Sequence, residues 1–434
     1  MSLTVVGILG ILALLFFLFV LGMPVGFSMA VVGFVGFAHV ISFKAALNMV
    51  GADIWSNFSH YGLTVIPLFI LMGYLAFNAG IAERLYDAAY KWMGHWRGGL
   101  AIATIGADEL FAAICGSNTA TAATMGAVAL PQMKKYNYDT RLSSGTVVTG
   151  GTLGTVMPPS VVLIIIGLQT EQSIVKLFLA GILPAIVLGI LFILTIFVLC
   201  RLNPSYGPPG PKTSFGEKMR SLLGVTEALL IFVMVIGGLY IGVFTPTEAG
   251  AVGVFSTMLV ALVARRLTWD GFLRSVRETL KISCMVFVLV TGAIIFGRFL
   301  AVTRLPFEAA DFAASLPVSR YVILGFVLLT YLVGGCFMDS LGFLVLTIPI
   351  FFPLGATLGF DPIWYAILIT MVTTMGAITP PVGVNIYVIK AMAPDISLGT
   401  IYKSVCFFLA ACIVSLILLI LFPRIALIIP DMVR

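Results

Sequence analysis

The stretch GTLGTVMPPS, residues 151–160, interrupts a run that is otherwise apolar enough to cross a bilayer. Pro158 and Pro159 remove two backbone donors and clash with the preceding helical turn, and Gly151 and Gly154 favour unwound chain. In hydrocarbon an unpaired backbone group is expensive, so irregular chain at that depth has to line a cavity or bind something. The broken helix therefore points to a site and not merely to a span.

Composition sets the class. The chain has 434 residues, 60% hydrophobic and 10% charged, with a mean hydropathy of +1.14; soluble domains carry about 25% charged residues. Apolar runs near the roughly 20 residues of a bilayer span recur throughout, among them Leu3–Leu21, Val225–Val243, Met285–Leu300 and Val405–Phe422. The pattern predicts a polytopic, all-α membrane protein. The first run lacks a basic flank and a small-residue cleavage site, so it reads as a retained helix. The net charge of +6 gathers in loops and acts as a topology signal, not a nucleic-acid footprint. Cys115, Cys200, Cys284, Cys336, Cys406 and Cys412 are scattered without paired spacing and read as small core residues; His39, His60 and His95 form no metal pattern.

A repeat organises the chain. One shift of 222 positions carries GTVMPP (154–159) onto GAITPP (376–381), Pro24 onto Pro246, Pro131 onto Pro353, Tyr138–Asp139 onto Phe360–Asp361 and Thr152 onto Thr374. Proline makes up about 5% of average sequence, so chance does not align four of them at one shift. Ser117–Asn118 then falls on Asp339–Ser340. The charged, proline-rich stretch Arg201–Arg220 separates the halves and, with Arg201, Lys212, Lys218 and Arg220, is expected in the cytoplasm. A loop holding Arg265, Arg266, Arg274, Arg277 and Lys281 returns to that side, whereas its counterpart Phe43–Gly62 has only Lys44 balanced by Asp53. The halves are thus expected to be inverted, a hallmark of secondary transporters.

Each half also holds two short apolar helices around a polar tip. Gly98–Gly116 and Ala120–Gln132 flank Ser117–Thr119, with basic residues at both outer ends; Arg320–Met338 and Leu341–Gly355 flank Asp339–Ser340. These read as re-entrant hairpins, giving five crossings plus one hairpin per half and both termini outside. Breaks at 154–158 and 376–380 offer carbonyls to a cation, and the helices beyond them, with the prolines in their first turns, offer N–H groups to an anion. Mostly neutral oxygens suit Na⁺ better than H⁺, with Asp339 the one tip carboxylate. Asp108 and Glu109 are expected on the hairpin's packed polar side, and Glu248 at a helix start. No GxxxxGK[ST] phosphate loop occurs, so ATP is not the energy source on this chain.

FTPTEAGAVG (244–253), the tips GSNT (116–119) and MDS (338–340), and the pair GTVMPPS (154–160) and GAITPPVG (376–383) resemble the large membrane subunit of TRAP (tripartite ATP-independent periplasmic) transporters over nearly the whole chain. The resemblance implies an elevator of the ion-transporter superfamily. Residues 1–80 and 221–303 would form a scaffold, 81–97 and 304–319 the arms, 98–200 and 320–434 the transport domain, and 201–220 the cytoplasmic linker. It further implies Na⁺ coupling, a small four-helix membrane subunit, and a periplasmic substrate-binding protein delivering an organic anion (carboxylate, sugar acid or sulfonate) across the bacterial inner membrane. By position, one Na⁺ site would use Ser117 and Asn118 with oxygens near Gly154, Met157 and Pro159. The other would use Gly335 and Asp339 with oxygens near Gly376, Thr379 and Val382. Substrate contacts are expected from Thr119, Ser160, Ser340, Thr374, Asn385 and Arg298, the last with Asp311 or Glu308 as alternative partners. A stand-alone Na⁺–dicarboxylate carrier of the same architecture is the alternative, and a membrane-embedded enzyme or channel a remoter one.

Overall fold

The computed structural model describes residues 2–432. Met1, Val433 and Arg434, the chain ends expected outside, lie beyond the described residues. The first half runs through α1 (Leu3–Phe19), α2 (Val25–Val40), α3 (Phe43–Ser59), α4 (Val65–Asn78), α5 (Ile81–Met93), α6 (Gly99–Cys115), α7 (Asn118–Lys135), α8 (Thr140–Gly150), α9 (Leu153–Val156), α10 (Val161–Thr170) and α11 (Ile174–Leu202). The second half follows as α12 (Phe215–Phe232), α13 (Gly238–Ile241), α14 (Pro246–Val263), α15 (Trp269–Thr303), α16 (Leu305–Ser315) and α17 (Arg320–Phe337). It closes with α18 (Ser340–Thr357), α19 (Pro362–Gly376), α20 (Val384–Met392), α21 (Leu398–Leu421) and α22 (Arg424–Asp431). Among the described residues nine helices are long and apolar enough to cross a membrane.

The element order repeats close to the shift read from the sequence: α7 starts at Asn118 and α18 at Ser340, 222 positions on, and α10 at Val161 and α20 at Val384, 223 on. Two bodies of packing result. In one, α2, α4, α14 and α15 pack on each other. Glycine makes the α2–α15 crossing close, because a Cβ on Gly33 would stand 2.8 Å from the Phe296 backbone and one on Gly26 2.9 Å from Leu289 Cα. In lipid, where burying apolar surface gives helices no advantage, such close van der Waals contact is what holds them together. The other body joins α6–α11 with α17–α22.

Four local expectations are corrected. Phe43–Gly62 is not a loop, since α3 fills it to Ser59 and presents Asp53 and Asn57, one turn apart, to α15. Of the basic loop after α14, only residues 264–268 are outside helix, because the Thr268 hydroxyl caps α15 by accepting from Gly271 N–H. The linker is shorter than 201–220, spanning 203–214 between α11 and α12. It is also tied down: Gly98 N–H donates to Gly207 O and Gly210 N–H to Gly94 O, both at 2.8 Å, and Asp139 N–H to Tyr206 O at 3.0 Å. Lastly, the prolines sit inside the breaks and not in the next helix, for Ser160 is the N-cap of α10 and Gly383 that of α20. Glu248 takes its expected place, in a capping box with Thr245.

Candidate functional site

Each hairpin tip rests on the break of its own half. At the first tip, Gly116 takes φ +64, which turns the chain from α6 into α7, and a Cβ there would strike the Pro159 carbonyl. Val161 N–H donates to Gly116 O at 3.4 Å, and Ser117 caps α7. A Cβ on Gly154 would lie 2.5 Å from Ser117 O and 2.6 Å from Thr121 Oγ1. The bare glycine backbone thus lets a carbonyl, a hydroxyl and the break converge. Thr121 Oγ1 is buried beside Ser117 and has no hydrogen-bond partner among the described residues. The sequence reading missed it, although its place one turn after Ser117 was a signal.

The second tip repeats the contact. Gly383 N–H donates to Cys336 O at 3.0 Å, and a Cβ on Gly376 would lie 2.6 Å from Gly335 Cα and from Leu332 O. Asp339 caps α18, accepting from Leu341 N–H at 3.1 Å. Thr379 Oγ1 donates to Met375 O at 2.7 Å, and the Tyr402 hydroxyl donates to Pro381 O at 2.6 Å and Val382 O at 3.0 Å. Those oxygens keep unused lone pairs. Among the described residues no three His, Cys, Asp or Glu side chains gather to hold a metal. Hydroxyl and carbonyl oxygens of this kind suit a hard monovalent cation better than a transition metal.

The two tips meet. Asn118 Nδ2 donates to Ser340 Oγ at 3.3 Å, a bond between residues 222 positions apart, which is the repeat shift itself. Above the contact lies a cavity of about 690 Å³. It is lined by Ser117, Asn118, Thr119, Asp339 and Ser340 from the tips, and closed by Tyr74, Phe77, Ile282 and Met285 from the other body. The first turns of α7, α10, α18 and α20 all reach it, through Ala120, Val161, Leu341 and Val384. A helix N-terminus carries roughly half a positive charge, so four of them favour an anion there.

Not every expected residue joins this cavity. Gly154, Met157 and Pro159 lie beneath it in the buried first break, with Ser160, whose hydroxyl accepts from Leu163 N–H at 3.5 Å. Thr374 faces Thr152 across a minor void between the two breaks, again one repeat shift away. Asn385 is fully buried and donates to Val148 O at 3.4 Å. Arg298 is outside the cavity, paired with Asp53 at 3.3 Å and with neither Asp311 nor Glu308. The buried carboxylates of Asp108 and Glu109 have no partner among the described residues and pack where a Cβ on Gly150 and Gly189 would stand. The wall of Tyr74, Phe77, Ile282 and Met285 escaped the sequence reading, because a helix face in an apolar segment looks the same toward lipid as toward a cavity.

Comparison with known proteins places this geometry. Residues 12–425 match the model of the family "Tripartite ATP-independent periplasmic transporter, DctM component". The chain is similar to the C4-dicarboxylate TRAP transporter large permease protein DctM of Pseudomonas aeruginosa, 34% identical over 387 residues, 89% of this chain and 90% of the relative. It is also similar to the sialic acid TRAP transporter large permease protein SiaM of Vibrio cholerae, 32% identical over 413 residues and 95% of both chains. In fold it resembles the crystal structure of the Alcanivorax borkumensis YdaH transporter, with TM-score 0.62 over 89% of this chain and 88% of that one at 14% identity. With paired hairpins on paired breaks and a family match over nearly its whole length, the chain belongs to the DctM component family of tripartite ATP-independent periplasmic transporters.

Proposed function

We propose that this large permease, a transporter subunit and not an enzyme, carries a small organic anion inward with Na⁺ by an elevator movement. The observation that carries the reading is the meeting of the tips. Two hairpins and two broken helices bring four helix N-termini to one cavity, beside oxygen-rich breaks that suit Na⁺. The Na⁺ ligands would be Ser117, Asn118, Thr121, Gly154, Met157 and Pro159 in the first half. In the second they would be Gly335, Asp339, Gly376, Thr379 and Val382. Thr119 and Ser340 would hold the anion.

The cavity lies between two bodies, as an elevator requires: α6–α11 with α17–α22 would be the moving domain, α1–α4 with α12–α15 the scaffold, and α5 and α16 the arms. Its scaffold wall includes Tyr74 and Phe77 near the C-terminal end of α4, where Asn78 Nδ2 donates to Ser275 Oγ at 2.9 Å, one helical stretch beyond the basic segment 264–268. Arg265 and Arg266 in that segment argue that this end is cytoplasmic, which would make the state inward-facing and put both termini in the periplasm. The relatives transport a C4-dicarboxylate or sialic acid by name, so an organic acid is the cargo class; the family's tripartite description supports a small membrane subunit and a periplasmic binding protein as partners.

Uptake into vesicles reconstituted with all three components should require an inward Na⁺ gradient. Equal uptake driven by a proton gradient in Na⁺-free buffer would refute Na⁺ coupling.

A further inference from the structure

We infer that the cargo of this permease is a monoanion with an apolar body, such as a short-chain or branched-chain monocarboxylate. The inference rests on reading the cavity between the tips and α4–α15 as the transport site. Polarity in that cavity is one-sided. The tips supply Ser117, Asn118, Thr119 and Ser340, with Thr124 of α7 and Thr155 of α9 in the same body, while the facing wall is Ile70, Phe77, Ile282, Met285 and Val286, with the Tyr74 hydroxyl as its one polar side-chain group among the described residues. Among the described residues no Lys, Arg or His lines the cavity, and the single charged side chain there, Asp339, has the sign of the cargo.

These facts limit what can be bound. Four helix N-termini and a neighbouring cation can neutralise one anionic group, at the tip end only. A second carboxylate would lose its water against the hydrocarbon of Phe77 and Met285 with at most the Tyr74 hydroxyl as a donor in return, and most hydroxyls of a sugar acid would fare no better. An alkyl chain gains there instead. A cavity of about 690 Å³ is ample for a small acid with several carbons, within the range of about 300–1,000 Å³ usual for small-molecule sites.

The test is direct binding to the permease purified with its small membrane subunit and without any binding protein, whose own selectivity would otherwise dominate. Straight-chain monocarboxylates from acetate to hexanoate, with succinate and gluconate beside them, are titrated calorimetrically in Na⁺ and in K⁺ medium. Affinity in Na⁺ should rise about fourfold per added methylene, the equivalent of about 0.8 kcal/mol. Succinate and gluconate should bind more weakly than butyrate. A flat series, or succinate or gluconate binding tighter than butyrate with the same Na⁺ dependence, overturns the inference and leaves the transport-site reading standing. Failure of every acid to bind in a Na⁺-dependent way overturns the site reading, and the inference with it.

Discussion

The two halves share one sequence plan and are restrained in different ways. The first break is buried from Gly151 to Ser160, whereas Pro380 and Pro381 of the second are exposed, and the Tyr402 hydroxyl ties the second break's carbonyls to α21. The arms differ further. Glu227 of α12 pairs with Arg84 on α5 and, at 3.1 Å, with Arg266, and the linker bonds to Gly94 and Gly98 where α5 passes into the first hairpin. On α16 the polar tie among the described residues is one bond, from Thr4 Oγ1 to Glu308 at 2.5 Å, and Phe307 and Phe312 stand exposed. The third helical stretch is split near His60 into α3 and α4 in the first half but runs unbroken as α15 in the second. Repetition therefore specifies which elements form; the connections between them, which occur once, decide how firmly each is held.

That comparison breaks most sharply at topology. With cysteines placed at Ser42 and at Thr268, the N-caps of α3 and α15, in a cysteine-free background, an impermeant thiol reagent should label the first from outside and the second from inside. Labelling of both from one side removes the inversion and makes the halves a direct repeat.

A smaller but still severe effect is expected at the breaks. Gly154→Leu drives carbon into the space between Ser117 O and Thr121 Oγ1, and Gly376→Leu into the Gly335 backbone. Each should abolish Na⁺-dependent uptake while leaving membrane insertion and partner binding intact, since overpacking is local, typically about 1–3 kcal/mol. If only one of the two stops transport, the halves are functionally unequal and the cation site belongs to that half alone.

The gentlest test concerns the arms. Glu227→Gln leaves two partly buried guanidinium groups without their shared carboxylate, and should cost about 1–2 kcal/mol in thermal unfolding of the purified complex, between the values for surface and buried pairs. Glu308→Gln, on the exposed arm, should change stability by less than about 0.5 kcal/mol. Equal losses would mean that the arms are held alike.

Much of the plan was legible because it rests on backbone chemistry. Paired prolines cannot continue a helix in any surroundings, Gly116 followed by Ser117 ends one helix and caps the next, and basic residues shun hydrocarbon. These signals act within a few residues, so the breaks, the tips and the repeat could be read along the chain. Where the prolines fall relative to the next helix could not, because Ser160 and Gly383 compete with them as caps and packing on the tips selects the winner. Likewise α3 passes for a loop until its polar face finds α15: Asp53 meets Arg298, and Asn57 Nδ2 donates to Thr291 Oγ1 at 2.5 Å.

By itself, then, the sequence determined an all-α membrane protein of two related halves, with a helix break and a polar hairpin tip in each, since each of those follows from what a short segment of chain can do without water. Only the tertiary structure decided that the tips touch through Asn118 and Ser340, that Arg298 pairs with Asp53 outside the cavity, and that Tyr74, Phe77, Ile282 and Met285 wall the cavity. Those outcomes depend on which faces meet across hundreds of residues, and an apolar side chain looks the same in sequence whether it faces lipid, another helix or a ligand.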